Sequence, residues 1–343
     1  MKKLLNTLYI TTPENYLSLN GENIVILKDK VEVGRLPLHN IQSIITFGYQ
    51  GASPALMGAC AEHNIDLCFM TSSGKFLSRV VGEIHGNVLL RRIQFRCADD
   101  EKECLKISKN IIVAKLYNSR SVIDRTLRDH SERVNVEKLA RAREHMLDAI
   151  KMLASVDGLE QLRGIEGEAA RVYFGVFDEL IINQKSDFNF PRRSKRPPLD
   201  SMNSILSFLY VLLAHDCAAA LEGVGLDAYV GFMHQDRPGR TSLALDLMEE
   251  FRSVFVDRLA LTLVNRGQIS PKGFNKKENG AVVMDDHTRK IILSEWQNKK
   301  RTIITHPFLK ETVEWGMLPH VQAMLLARYL REDMDEYPPF LWK

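Results

Sequence analysis

Three stretches of this chain carry side chains whose types and spacing suit phosphate chemistry. They are Gln161–Tyr173 (QLRGIEGEAARVY), Gly225–His234 (GLDAYVGFMH) and Ser242–Arg252 (SLALDLMEEFR). Glu166 lies near the start of an expected amphipathic helix, between Ile165 and the small residues Gly167, Ala169 and Ala170. A carboxylate there is buried, faces a cleft, or partners the helix dipole. His234 follows the apolar run Tyr229–Met233 and precedes the polar loop Gln235–Thr241; it reads as a hydrogen-bonded structural histidine or as a ligand. Asp246 and Glu249 stand at i and i+3, with Glu250 at i+4, on one face of an expected helix rich in Leu245, Leu247, Met248 and Phe251. Carboxylates on such a face cost several kcal/mol unless paired or metal-bound. Arg252 and Arg258 are the alternative partners. Together, two carboxylates and an imidazole without cysteine make an oxygen-rich set suited to Mg²⁺ or Mn²⁺ rather than zinc. Such ions bind phosphate oxygens and activate water or hydroxyl, which points to phosphoryl transfer on nucleic acid. Spacing alone does not bring the three stretches together.

The elements that must position them divide into two textures. Leu4–Thr11, Tyr16–Leu19, Asn23–Leu27, Val31–Leu36, Ile41–Thr46, Ile65–Met70 and Phe76–Val81 read as strands, separated by turns such as Asn20-Gly21 and Ser72–Lys75. Ser53-Pro54 is an N-cap with proline at the first helical position, predicting a helix over Pro54–His63 ended by Asn64. From about Asn87, apolar residues recur at helical spacing. Helices are expected over Glu101–Leu127, Val136–Leu153, Ile165–Ile181, Met202–Leu221, Leu243–Thr262, Asp286–Gln297 and Leu318–Arg331. The expectation is an α+β protein: a β-rich domain over 1–86 and a larger helical domain over 87–343. A length of 343 residues suits two such domains, each able to bury its own core.

Ser186–Asp200 (SDFNFPRRSKRPPLD) is the exception within the helical half. Its prolines block helix, and Arg192, Arg193, Lys195 and Arg196 cluster there. It is a solvated linker or an arm on a phosphate backbone. Overall charge decides nothing, because 46 Lys+Arg against 43 Asp+Glu leave only +3. Five cysteines without a CxxC pair exclude a disulfide framework and a zinc finger. The patterns GxGxxG, Walker A, HExxH and GxSxG are absent. No uninterrupted apolar run of membrane-spanning length and no signal peptide is read, so no membrane partner is expected and the expected location is the cytoplasm.

In this order and with these separations, RGIEG-AA--Y, GLD---GF-H and SLALDLMEEFR resemble the CRISPR-associated protein one family, the metal-dependent DNA endonucleases and integrases of CRISPR spacer acquisition. The strand Ile41–Phe47 with its following helix, the stretch Asn203–Leu213 and the ending Tyr337–Phe340 extend the resemblance over nearly the whole chain, closest to the type I-C branch. The resemblance implies a β domain that dimerises, followed by an all-helical catalytic domain. It implies Mg²⁺ or Mn²⁺ on Glu166, His234 and Glu249, the third position being aspartate in some members. Asp246 matches an acidic residue expected beside the ion, directly or through water. The implied reaction is transesterification, in which a 3′-hydroxyl of captured DNA attacks a phosphodiester at a CRISPR repeat. With water as nucleophile the same site cleaves DNA.

Arg237 and Arg240 flank His234, Arg163 and Arg171 flank Glu166, and Arg252 lies one turn beyond Glu249. With Arg192, Arg193, Lys195 and Arg196 they form the expected contacts to double-stranded and branched DNA. Tyr173 is a candidate site wall or a core residue. The implied partners are a second copy of the chain and a dimer of CRISPR-associated protein two. Two alternatives stand beside this reading: a non-catalytic structural DNA-binding protein whose acids are simply paired to arginines, and a metal hydrolase of small phosphoesters.

Overall fold

A computed structural model describes residues 6–63, 65–71, 74, 76–82 and 88–342. The chain forms two compact units, Met1–His85 with Arg289–Thr302, and Gly86–Thr288 with Ile303–Lys343. The expected boundary at 86/87 lies outside the described residues, as do Leu4, Leu5, Asn64 and most of the Ser72–Lys75 turn.

Strands of the first unit are β1 (Thr7–Ile10), β2 (Tyr16–Asn20), β3 (Asn23–Lys28), β4 (Val31–Pro37), β5 (Ser43–Phe47), β6 (Asp66–Met70) and β7 (Phe76–Val80). β2, β3 and β4 form an antiparallel meander, whose β3–β4 turn places Asp29 and Lys30 at φ 49° and 67°. Two successive left-handed residues make the tight turn that matches strand twist. The second sheet has the order β1-β5-β6-β7, with β7 antiparallel to β6 and the other pairs parallel. The parallel β5–β6 pair needs a crossover, supplied by α1 (Pro54–Glu62). Ser53 Oγ starts α1 by accepting from Leu56 N–H (3.2 Å). Leu17, Ile24, Ile44, Leu56, Cys60 and Leu67, drawn from both sheets and α1, are fully buried in one core. Each such aliphatic side chain contributes about 1.5–3 kcal/mol by leaving water.

The second unit contains α2 (Val88–Ala98), α3 (Glu101–His130), α4 (Val136–Leu153), α5 (Leu159–Gly175), α6 (Ser201–Gly223), α7 (Ser242–Met248), α8 (Arg258–Asn265) and α10 (Leu318–Leu330). α9 (Asp286–Lys300) belongs, from Arg289 onward, to the first unit. Side-chain caps start the helices that frame the site: Asp100 on α3, Asn135 on α4 and Asp200 on α6. By length and composition α6 is able to cross a membrane, with a mean hydropathy of 1.7 despite its His215 and Asp216; 72% of that window is packed inside the protein, which makes α6 a core helix of the unit.

Three expectations need correction, and one further helix stands apart within the expected helical spacing. The helical half is not all-helical: it carries the hairpins β8 (Phe274–Lys276)–β9 (Val282–Met284) and β10 (Ile303–Thr305)–β11 (Thr312–Glu314), strands too short for periodicity to register. α2 is a helix in its own right, ending just before the Asp100 cap. α5 starts at Leu159, so Glu166 sits in its middle; Phe177–Leu180, counted as its end, is a separate 3₁₀ turn. The helix expected over Leu243–Thr262 is broken. After α7 the backbone tightens, with Glu249, Glu250 and Phe251 N–H each bonding three residues back, and then widens into a π segment over Arg252–Asp257 before α8. Apolar period alone does not distinguish these ladders, and π segments recur at functional sites.

Candidate active site

Glu249 sits at the break after α7 with its side chain 3% exposed. Arg252 Nη1 donates to its Oε1 at 2.5 Å. Lys115 Nζ, from the middle of α3, lies 2.8 Å from its Oε2, which is buried and receives no well-aligned hydrogen bond. The same ammonium donates to Glu166 Oε1 from α5. One cation therefore joins the carboxylates of the first and third stretches. Burial opposes ionisation of Glu249, but the positive charges of Arg252 and Lys115 outweigh it and hold the carboxyl well below the usual range. Arg252 is held above its ordinary value, burial being outweighed mainly by Glu249.

The second stretch is tied down by Asp246, which is fully buried. Its Oδ2 accepts from Phe232 N–H (2.7 Å) and Met233 N–H (3.0 Å), and its Oδ1 from His234 N–H (3.0 Å). His234 Nδ1 is 2.5 Å from the same Oδ1. A carboxylate only accepts, so Nδ1 carries a proton, and in the neutral ring the lone pair is then on Nε2. Gly231 permits this wrapping: a Cβ there would lie 2.7 Å from Ser242 Cβ and 3.0 Å from Asp246 Oδ2. Arg163 donates to Met233 O through Nε (3.1 Å) and Nη2 (2.7 Å), fastening α5 to the His234 loop. On the other side, Gln94 of α2 exchanges bonds with Asp227 N–H and carbonyl (2.9 and 2.8 Å) and reaches Val230 O (3.0 Å).

Glu166, Glu249 and Lys115 meet directly, and His234 is bound to Asp246, which stands three residues before Glu249. Among the described residues, no three His, Cys, Asp or Glu side chains stand as a ready ligand shell. The donor set still fits a hard divalent ion: two carboxylate groups already share a cation, Glu249 Oε2 is buried without a well-aligned donor, and the imidazole keeps one nitrogen available.

A family model described as CRISPR associated protein Cas1 matches residues 8–298. This chain belongs to the Cas1 family. It is 48% identical over 343 residues to a CRISPR-associated endonuclease Cas1 of Chlorobaculum tepidum, with 100% of both chains covered. The fold is similar to a casposase bound to integration product, with TM-score 0.85, 23% identity, and 99% of this chain and 95% of that chain covered. It is also similar to a Cas6-RT-Cas1–Cas2 complex, with TM-score 0.83, 21% identity, and 100% of this chain and 36% of that chain covered. At these identities the two structures speak for the Cas1 fold alone.

The remaining residues expected to act in this Cas1-family chain fall into two groups. Arg192, Lys195, Arg196 and Arg237 are exposed, and Arg240 is half-buried in the same turn as Arg237. The Lys195 amine is held below its ordinary value by surrounding protein atoms, then by Arg252 and Arg193, with Glu249 opposing. The basic loop approaches the Glu249 site through Arg193, whose guanidinium shares the Tyr210 ring with that of Arg252, the Glu249 partner. Other cations are engaged internally. Arg193 donates to Asn203 Oδ1 (2.6 Å) and Ser207 Oγ (3.1 Å), and its guanidinium lies 5.3 Å from the Tyr210 ring centroid. Arg163 serves the His234 loop and also pairs with Glu160. Arg171 pairs with Glu168 on the exposed face of α5. Arg252 is mostly buried rather than a surface partner, and Arg258 stacks on Trp342 at 4.3 Å instead of pairing with the acids. Tyr173 is a core residue whose hydroxyl donates to Asp257 Oδ2 (3.0 Å).

Lys115, Asn118 and Gln94 are site-building residues that sequence reading missed. The available signal was weak: Lys115 and Asn118 are polar residues at i, i+3 within the apolar run IIVAKLYN. Asn118 Nδ2 donates to Glu250 O (2.7 Å), locking α3 to the turn that bears Glu249.

Proposed function

We propose that this chain is a divalent-metal-dependent DNA endonuclease and integrase of CRISPR adaptation, joining 3′-hydroxyl ends of captured DNA to a repeat by transesterification. The observation that carries the reading is the convergence of Glu166 and Glu249 on one cation position, beside an imidazole oriented by buried Asp246. Glu166, Glu249 and His234 Nε2 would hold Mg²⁺ or Mn²⁺. The ion supplies Lewis-acid stabilisation of charge on the scissile phosphate and orients attacking and leaving oxygens. The protein's own contributions are positional. Asp246 fixes the His234 tautomer, and Arg163 holds the loop against α5. Arg252 clamps one oxygen of Glu249, so the carboxylate cannot rotate away. Exposed Arg192, Lys195, Arg196 and Arg237 neutralise backbone phosphates on either side of the reacting bond.

The assignment extends to the partners. Double-stranded and branched DNA, a second copy of the chain joined through the β-rich unit, and a Cas2 dimer complete the proposed assembly; the casposase and Cas1–Cas2 neighbours support its DNA and Cas2 parts. A cytoplasmic location and membership of the type I-C branch belong to the same proposal. Strand transfer on a branched DNA substrate, with and without Mn²⁺, tests the reading. Glu166→Ala, His234→Ala and Glu249→Ala should each abolish the reaction while DNA binding survives. Full activity in all three variants would remove the metal site.

One observation favours a second reading. Lys115 and Arg252 already compensate Glu166 and Glu249, as a purely structural DNA-binding protein would require. In that case Mn²⁺ changes neither cleavage nor thermal stability.

A further inference from the structure

We infer that Lys115 is a built-in competitor of the divalent ion and sets the metal affinity of the site; this rests on the metal reading above. The ammonium contacts Glu166 Oε1 and Glu249 Oε2 together, and its side chain is 12% exposed. It is therefore not a surface cation that drifted onto a carboxylate. Its backbone is held in register, since Asn118, one turn along α3, bonds Glu250 O and Phe340 O (2.7 and 2.8 Å). Arg252 occupies the opposite oxygen of Glu249, leaving Oε2 to Lys115.

A dication drawing on both carboxylates shares oxygens with Lys115 Nζ. Like charges at adjoining positions on the same oxygens repel strongly in a buried setting. The guanidinium of Arg252 is a rigid fork, whereas a lysine ammonium is a point charge on a flexible four-carbon stem. Lys115 is thus the cation able to leave. Metal binding breaks its two ion pairs and frees the amine, and the cost of that exchange weakens apparent affinity. Until the exchange occurs, Lys115 keeps two carboxylates compensated inside the helical unit.

The test measures Mn²⁺ binding by calorimetry in the full chain, in Lys115→Gln, Lys115→Arg and Glu166→Gln. Lys115→Gln should bind Mn²⁺ about tenfold more tightly, the value of a charged hydrogen bond that no longer has to be broken. Lys115→Arg, which keeps the competing charge, should not gain affinity. In the unaltered protein, amine-selective acylation read by mass spectrometry should label Lys115 severalfold more with Mn²⁺ than with chelator. This second measurement stands even where Lys115→Gln fails to fold. Equal or weaker Mn²⁺ binding by folded Lys115→Gln, or Lys115 labelling unchanged by bound Mn²⁺, overturns the inference and leaves the metal reading intact. Mn²⁺ affinity unaffected by Glu166→Gln brings down the metal reading and this inference with it.

Discussion

Glu249 and Glu250 are neighbours in sequence, both buried, and their surroundings are opposite in kind. Glu249 is met by cations, Lys115 and Arg252. Glu250 is met by neutral donors: the Tyr337 hydroxyl, Gln322 Nε2 (2.9 Å) and Phe340 N–H (2.7 Å). Burial pushes the Glu250 carboxyl up to about 7, against the pull of those three hydrogen bonds. Asp257, held by Tyr210 (2.5 Å) and Tyr173, is of the Glu250 kind and is pushed up to about 6. The difference separates a site from a joint. Charge compensation keeps Glu249 ionised, as its proposed role as a ligand requires, whereas Glu250 fastens the ending Tyr337–Phe340 to the core. The tightened turn after α7 makes this possible by sending adjacent residues to different neighbours.

The largest effect expected from this contrast is catalytic. Glu249→Gln should lower strand transfer by about 10³-fold, the several kcal/mol an ion contributes to the charged transition state. Glu250→Gln should leave Mn²⁺ affinity unchanged. A loss of Mn²⁺ binding in Glu250→Gln would erase the distinction between the two residues. Next, Glu250→Ala should destabilise the protein by about 3 kcal/mol in denaturant unfolding, because buried Gln322, Tyr337 and Phe340 donors lose their acceptor. Asp246→Asn sharpens the site side of the comparison: Mn²⁺ affinity and activity should both fall by about 10–100-fold, since the partner that orients the imidazole is weakened.

Acidity gives a smaller test with opposite signs. Glu250 is raised in the folded state, so its contribution is most favourable below the ordinary value of 4.5 and is lost as pH rises toward 7. The slope is at most about 1.4 kcal/mol per pH unit, and Glu250→Gln should flatten it. Glu249 is depressed, so its contribution is present above the ordinary value and is lost as pH falls below it. Unfolding curves between pH 3 and 8, roughly the span over which the two contributions act, should show both limbs. The smallest effect belongs to Arg171→Ala on the exposed face of α5, where the melting temperature should not change measurably.

Much of this was legible from residue order. Ser53-Pro54 starts its helix as expected, and the structure adds Asp100, Asn135 and Asp200 as caps of the same local kind, with partners two or three residues away. Val136–Leu153 emerges with the bounds its apolar period predicts. The broken helix after Met248 was not legible, because α-, 3₁₀- and π-ladders share nearly the same apolar spacing over so few residues. Lys115 was missed for another reason: its partners are 51 and 134 positions away, and a lysine in a helix is ordinarily a solvated one.

Side-chain chemistry and period therefore specify, along the chain, a β-rich beginning, a helical remainder and an acid–imidazole donor set. Which acid is compensated by cations, which clasps the chain ending and which anchors a histidine was settled by the packing of α3, α5 and the turn after α7. The physical reason is that a carboxylate's role follows from the charge and hydrogen-bonding groups within a few ångströms, and those arrive from elements far apart in sequence.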